Sequence, residues 1–292
     1  MIPPPFDYYA PTTMDEAIRL LEQHGSEAKI LSGGMSLIPL MKLRLVEPRS
    51  LIDINRISGL GYIKEEDGFL LIGALTREAE LESSALLRSK YPILVDTTSV
   101  IADLLVRNRA TIGGNLAHGD PANDHPATML ALEAKVVARG PKGEREIPIT
   151  NFFPSLFTTA LDPNEILTEI RIPTPAPRSG GAYVKLERKV GDFATVAVAV
   201  QLTLRQEGDV CERVGIGLTN VGPTALKAKK AEEVLRGQKI DSEAIKRAAQ
   251  LASEESQPRA DLRGSEEYKR DLVRVLMTRA LTRALERAWG RK

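Results

Sequence analysis

The chain has 292 residues and a single cysteine, Cys211. One thiol closes no disulfide within the chain and cannot by itself ligate an iron–sulfur cluster. Net charge is scarce too: 40 Lys and Arg against 39 Asp and Glu leave +1 at pH 7. Without a basic field or a block of like charge, nucleic acid is not expected as a partner. No apolar stretch reaches the ~18 residues of a spanning helix, so no transmembrane segment is expected. The opening segment, MIPPPFDYYAPTT, has no basic region ahead of an apolar one, so no secretory leader is expected either. Repeats and low-complexity tracts are absent. These absences suit a cytoplasmic protein. The length suits two domains, at ~100–200 residues each, with a core that needs no staples.

What is present alternates between helix and strand signals. Thr12 or Thr13 can cap a first helix that ends at Gly25, with Asp15 and Glu16 in its first turn. Strands are expected at 28–31 and 50–54. Hairpins are expected at 62–73, turning on Asp67-Gly68, and across KVVARGPKGEREIPI, turning on 141–143. Ser36 can cap a short helix running to Leu45. Residues 76–106 read as mainly helical, 110–126 as a long irregular stretch, and PATMLALEA as helix. Three prolines and two glycines in IPTPAPRSGG (172–181) mark a linker. Beyond it come three strand-like runs, then helical patterns at 225–236, 243–255 and 265–288. The class is α+β, in two domains, 1–177 and 178–292.

Two glycine pairs stand out: SGGMS (32–36) and TIGGN (111–115). Successive backbone N–H groups in such turns form a concave nest that can hold a phosphate, and a helix starting near Ser36 would add its positive end. Two nests could converge on one pyrophosphate. Either pair alone is equally a plain tight turn. Neither is a standard nucleotide loop. There is no Walker lysine and no G-x-G-x-x-G after the first strand, which disfavours an NTPase or kinase. The cluster of His118, Asp120, Asp124 and His125 has no standard metal-ligand spacing, so no metal is expected.

With these segments quoted, the chain resembles a known family. AKILSGGMSLIPLMKLRLVEPRSLIDINRI, VRNRATIGGNLAHGDPANDHPATMLALEA, GAYVKLERKVGDFATVAVAV and DLRGSEEYKRDLVRVLMTRAL are similar, in order, to segments of the FAD-binding medium subunits of molybdenum hydroxylases. Carbon monoxide dehydrogenase medium chains and xanthine dehydrogenase flavin domains belong to that group. The resemblance implies a two-part FAD-binding domain of the vanillyl-alcohol-oxidase (PCMH) type. A smaller C-terminal α/β domain with a three-stranded sheet and helices would follow.

The resemblance also implies site residues. Leu31, Ser32, Gly33, Gly34, Met35 and Ser36, with Thr111, Ile112, Gly113, Gly114 and Asn115, would hold the pyrophosphate and ribityl chain of non-covalent FAD. Asp124 would contact the flavin, and Leu167 would offer its main chain. Lys185 would bring a cation to the ring, favouring its reduced anion. Read alone, Lys185 is equally a solvated strand residue and Asp124 a helix cap. On the strand around 182–188, Tyr183, Lys185 and Glu187 share one face. Phe193 stands where many relatives have Tyr, which keeps the stacking surface and loses the hydroxyl. No catalytic residue is assigned, since neither a general base nor a nucleophile announces itself. The expected function is electron transfer, from iron–sulfur clusters through FAD to an external acceptor. A small iron–sulfur subunit and a large subunit with the molybdopterin cofactor would carry the remaining centres, in a dimer of heterotrimers. The alternatives are a self-sufficient flavin oxidase of the same fold and a flavin-free assembly subunit.

Overall fold

The computed structural model describes residues 2–290. Its first layer is small. The strands β1 (Asp7–Tyr9), β2 (Ala28–Leu31) and β3 (Ser50–Asp53) form a parallel sheet in the order β1-β3-β2. Helix α1 (Met14–His24), capped by Thr13, lays Ala17, Ile18 and Leu21 against it. Ser32 to Ser36 follow β2 directly and lead into α2 (Leu37–Lys42). That helix is shorter than expected. It stops before Arg44, which takes φ 60°, and Ser36 makes no side-chain cap.

The second layer begins with the hairpin β4 (Ile63–Glu66) and β5 (Phe69–Gly73). Asp67 and Gly68, at φ 50° and 80°, turn it as their sequence requires. Four short helices follow: α3 (Glu78–Ser83), α4 (Ala85–Lys90), α5 (Pro92–Ser99) and α6 (Leu104–Arg107). The stretch expected to be irregular holds α7 (Ile112–His118), with Thr111 as its N-cap, and the start of α8 (Asp124–Ala131). Two glycines at its start had made α7 read as a turn, since Gly is a weak helix former. A second hairpin, β6 (Lys135–Gly140) and β7 (Gly143–Pro148), and β8 (Ile166–Pro173) complete a five-stranded antiparallel sheet, β4-β5-β8-β6-β7.

After the proline-rich connection come β9 (Ser179–Leu186), β10 (Val196–Leu204) and β11 (Cys211–Thr219). The three expected long strands are joined by a two-residue fourth, β12 (Leu226–Lys227), in the order β12-β11-β10-β9. The helices α9 (Lys229–Leu235), α10 (Ser242–Glu255) and α11 (Glu266–Ala288) close the chain. Strand β10 is buried on both faces. Val196, Val198, Val200 and Leu202 point into the core under α10 and α11, while Ala197 and Ala199 join the core of the first part. Small residues are needed on that second face because α8 lies across it. A Cβ on Gly215 or Gly217 would run into the carbonyls of Ala131 and Ala127. The C-terminal sheet is thus packed between its own helices and α8, so that the two parts meet over a continuous apolar contact.

Candidate functional site

The two glycine stretches meet. Ser32 Oγ and Thr111 Oγ1 are 2.6 Å apart and share a hydrogen bond. A Cβ on Gly33 would collide with the carbonyl of Arg109, so this glycine lets the first loop lie on the chain leading into the second. Asn55 braces the first loop from behind: its Nδ2 donates to Ser32 O at 2.8 Å, and its Oδ1 accepts from Arg77 at 2.5 Å. Arg77 also donates to Arg109 O at 2.5 Å, so one guanidinium ties both loops together. Neither Asn55 nor Arg77 was assigned a role from the sequence, where each reads as an ordinary surface polar residue.

Both loops line one cavity of ≈ 730 Å³, a size typical of small-molecule and cofactor sites. Residues 31–36, Thr111, Gly113, Gly114, Asn115 and Leu167 are all on its wall. Ile112 is not; its side chain is fully buried in the core. Leu167 reaches the cavity from the start of β8, just beyond the point where the pairing with β5 ends at Gly73 and Glu169. Leu21, Ile30 and Leu40 give the wall an apolar stretch. His118 is also on the wall, its ring centre 5.4 Å from that of Phe157. Burial pushes the His118 pKa below its ordinary value, opposed by Asp120.

The polar capacity of the cavity is uneven. Among the described residues, the amides of Gly33, Gly34, Met35, Ser36 and Leu37 have no protein acceptor. Adjacent N–H groups of this kind, beside the Ser36 hydroxyl, suit an anion such as a pyrophosphate. In the second loop the amides from Ile112 to Asn115 are committed. Ile112 N donates to Thr76 O, Gly113 N to Ala74 O, Gly114 N to Thr111 Oγ1 and Asn115 N to Thr111 O. The first loop therefore offers donors, and the second builds the wall against which they are held. Open amides beside a mostly apolar cavity fit a dinucleotide with an anionic middle and a flat ring.

Asp124, Lys185 and Phe193 lie outside this lining. Asp124 and Lys185 are brought together, buried, across the boundary between the two parts. Lys185 Nζ stands 3.1 Å from Asp124 Oδ2 and 3.3 Å from Glu187 Oε2, and donates to Val100 O at 2.9 Å. Its side chain is 2% exposed, so the solvated-strand reading does not hold. Asp124 is no helix cap either. Asn123 precedes α8 as N-cap, and both Asp124 oxygens are taken, one by Lys185 and one by the Tyr183 hydroxyl at 2.5 Å. Asn123 Nδ2 in turn donates to Asn115 O at 2.8 Å, linking this pair to the cavity wall. Burial raises the Asp124 pKa, and the Lys185 charge and the Tyr183 hydrogen bond oppose it. Two carboxylates face the Lys185 ammonium, so its charge is balanced within the protein. Phe193 is 45% exposed, with the guanidinium of Arg263 5.8 Å from its ring centre.

The four residues weighed as a metal cluster are drawn apart. His125 is fully buried against Glu78 at 2.8 Å, while His118 and Asp120 stand 3.9 Å apart at the cavity. Among the described residues, no three His, Cys, Asp or Glu side chains gather where they could hold a metal. Cys211 is buried, and that burial pushes its thiol pKa up to about 11. No helix among the described residues is long and apolar enough to cross a membrane.

Comparison with known proteins bears on this geometry. Residues 4–175 match the model of the FAD binding domain in molybdopterin dehydrogenase, and residues 181–284 that of the CO dehydrogenase flavoprotein C-terminal domain. The carbon monoxide dehydrogenase medium chain of Hydrogenophaga pseudoflava is 46% identical, over 100% of this chain and 99% of its own length. The 6-hydroxypseudooxynicotine dehydrogenase complex subunit alpha of Paenarthrobacter nicotinovorans is 38% identical, over 99% and 97%. A solved structure of carbon monoxide dehydrogenase from Hydrogenophaga pseudoflava, lacking the Mo-pyranopterin moiety, superposes with a TM-score of 0.95. It is 47% identical, over 98% of this chain and 99% of that one.

Proposed function

The chain belongs to the family of FAD-binding medium subunits of molybdenum hydroxylases, and from that membership we propose how its residues carry the flavin and what surrounds it. It is an oxidoreductase subunit that holds FAD and transfers electrons, and the iron–sulfur and molybdenum centres of such complexes sit on other subunits. Bound FAD supplies redox chemistry that accepts electrons singly and releases them in pairs.

The amides of Gly33 to Leu37 bind the pyrophosphate, and this row of open donors is the observation that carries the reading. Ser36 adds its hydroxyl, and Thr111 fixes Ser32 in place. Gly113, Gly114, Asn115 and Leu167 shape the wall along which the ribityl chain and ring lie, and Ile112 anchors that wall from the core. Asp124 and Lys185 meet the flavin where the two parts of the chain, 1–177 and 178–292, come together. Phe193, an exposed side chain, offers the ring a stacking surface, and FAD is held without a covalent bond.

A small iron–sulfur subunit and a large molybdenum subunit complete the complex, as a dimer of heterotrimers in the cytoplasm. The relatives act on substrates as unlike as carbon monoxide and 6-hydroxypseudooxynicotine with medium chains of one architecture. The substrate is therefore selected on the large subunit.

The full chain, purified and mixed with FAD, is expected to bind one flavin with a band near ~450 nm. The native complex is expected to contain iron and molybdenum. A chain that binds no FAD overturns the reading. So does an isolated chain that turns over a small organic substrate at ordinary enzyme rates, ~1–1000 per second.

A further inference from the structure

Asp124 and Lys185 carry expected roles, and Tyr183, whose hydroxyl donates to the other oxygen of the same carboxylate, carries none. Tyr183 is 3% exposed, and its hydroxyl points at a carboxylate from the other part of the chain. Its position follows from strand alternation. Tyr183 and Lys185 are two residues apart on β9 and face α8, while Val184 and Leu186 between and beyond them pack under α11. A phenol buried this deeply needs a partner, and Asp124 Oδ1 at 2.5 Å provides it. The Tyr183 backbone is held as well, since its N–H donates to Asp96 Oδ2 at 3.3 Å.

We propose that Tyr183 is a positioning residue of the flavin site. Its hydroxyl aims the Asp124 carboxylate and favours its charged form over its neutral one, so the charge that Asp124 presents to the flavin is set from the second part of the chain. The proposal rests on the reading above, in which Asp124 meets the flavin.

A carboxylate buried at 5% exposure favours its neutral form unless hydrogen bonds and opposite charge compensate. Lys185 supplies the charge, but Glu187 competes for it at 3.3 Å. From α8 itself comes His125, turned away to Glu78 of α3 at 2.8 Å. From α5 comes Asp96, already paired with Arg287 at 2.6 Å and Arg283 at 3.2 Å on α11. The remaining direct donor to Asp124 is the phenol. Burial and the Asp124 charge push the Tyr183 pKa well above its ordinary value, so it stays protonated and donates throughout the working range.

The test uses the full chain loaded with FAD and follows the flavin absorbance from pH 4.5 to 9. Loss of one hydrogen bond to a charged group corresponds to roughly one to two pH units. Tyr183→Phe is expected to move the midpoint of the Asp124-linked spectral step upward by that amount. Asp124→Asn, which still accepts from the phenol, is expected to abolish the step. Placing 3-fluorotyrosine at 183 keeps the packing and makes the phenol a stronger donor, so the midpoint is expected to move downward. A merely structural role would weaken FAD binding at every pH and leave the midpoint where it was.

An unmoved midpoint in both the Phe and fluorotyrosine proteins overturns the proposal, as does a step that survives Asp124→Asn. Failure of the wild-type chain to bind FAD at all overturns the underlying reading instead. If Tyr183→Phe does not fold, the fluorotyrosine protein decides by the same criterion.

Discussion

Among the described residues, the five amides from Gly33 to Leu37 have no protein acceptor, whereas those from Ile112 to Asn115 are each matched within the fold. The glycines differ in the same sense. Gly34, at φ 75°, bends the first loop into its concave shape. Gly113 sits in the first turn of α7, where a Cβ would stand 2.6 Å from Ala74 Cβ and 2.7 Å from Ala74 O. The first pair exposes backbone and the second packs it. One motif type thus serves two purposes, and the accounting of backbone donors distinguishes them, since a buried N–H is either paired or kept for a ligand.

Gly113→Val tests the packing half of this contrast and carries the largest expected effect. Overfilling a close backbone contact costs on the order of 1–3 kcal/mol or more. The melting temperature should fall by about 3–10 °C, with FAD lost as a consequence. A variant that melts like wild type would show that α7 is not pinned to Ala74.

Gly33→Ala is next. The added methyl must push the first loop away from Arg109, so the amides no longer converge. FAD affinity should drop about tenfold or more, equivalent to roughly 1.4 kcal/mol, with a smaller loss of melting temperature than in Gly113→Val. Calorimetric titration with FAD beside thermal melts gives both numbers. Equal ratios of affinity loss to stability loss in the two variants would erase the contrast.

Ser36→Ala sharpens the comparison with the smallest change. Ser36 makes no cap bond to α2, so its hydroxyl has no structural duty there. Stability should stay within about 0.5 kcal/mol of wild type. FAD binding should weaken a few-fold, the size of one hydrogen bond, about 0.5–1.5 kcal/mol. A clear fall in melting temperature would return Ser36 to a capping role.

The contrast also revises the electrostatic expectation for Lys185. As a lone cation beside the ring it would favour the flavin's reduced form. In the fold it is buried against Asp124 and Glu187, and removing it would leave two carboxylates without their cation. Its first duty is to neutralise them.

Local chemistry wrote much of this protein into its sequence. Asp67-Gly68 specified a hairpin because few other residues accept two successive positive φ angles. Thr13 marked a helix start because its side chain satisfies a first-turn amide. Alternation on β9 placed Tyr183 and Lys185 on one face, and the order of the motif segments identified the family. Tertiary structure decided the rest, because it depended on what lies opposite. Helix α7 forms across a weak sequence because Ala74 and Thr76 accept its first amides and admit only glycine at 113. Gly215 and Gly217 look like defects in a strand until α8 is seen lying across them. Which glycine pair is pinned to Ala74 and Thr76, and which hydroxyl reaches Asp124, are contacts between residues 36 or more positions apart. No local propensity encodes such pairings; they exist only once the chain has packed.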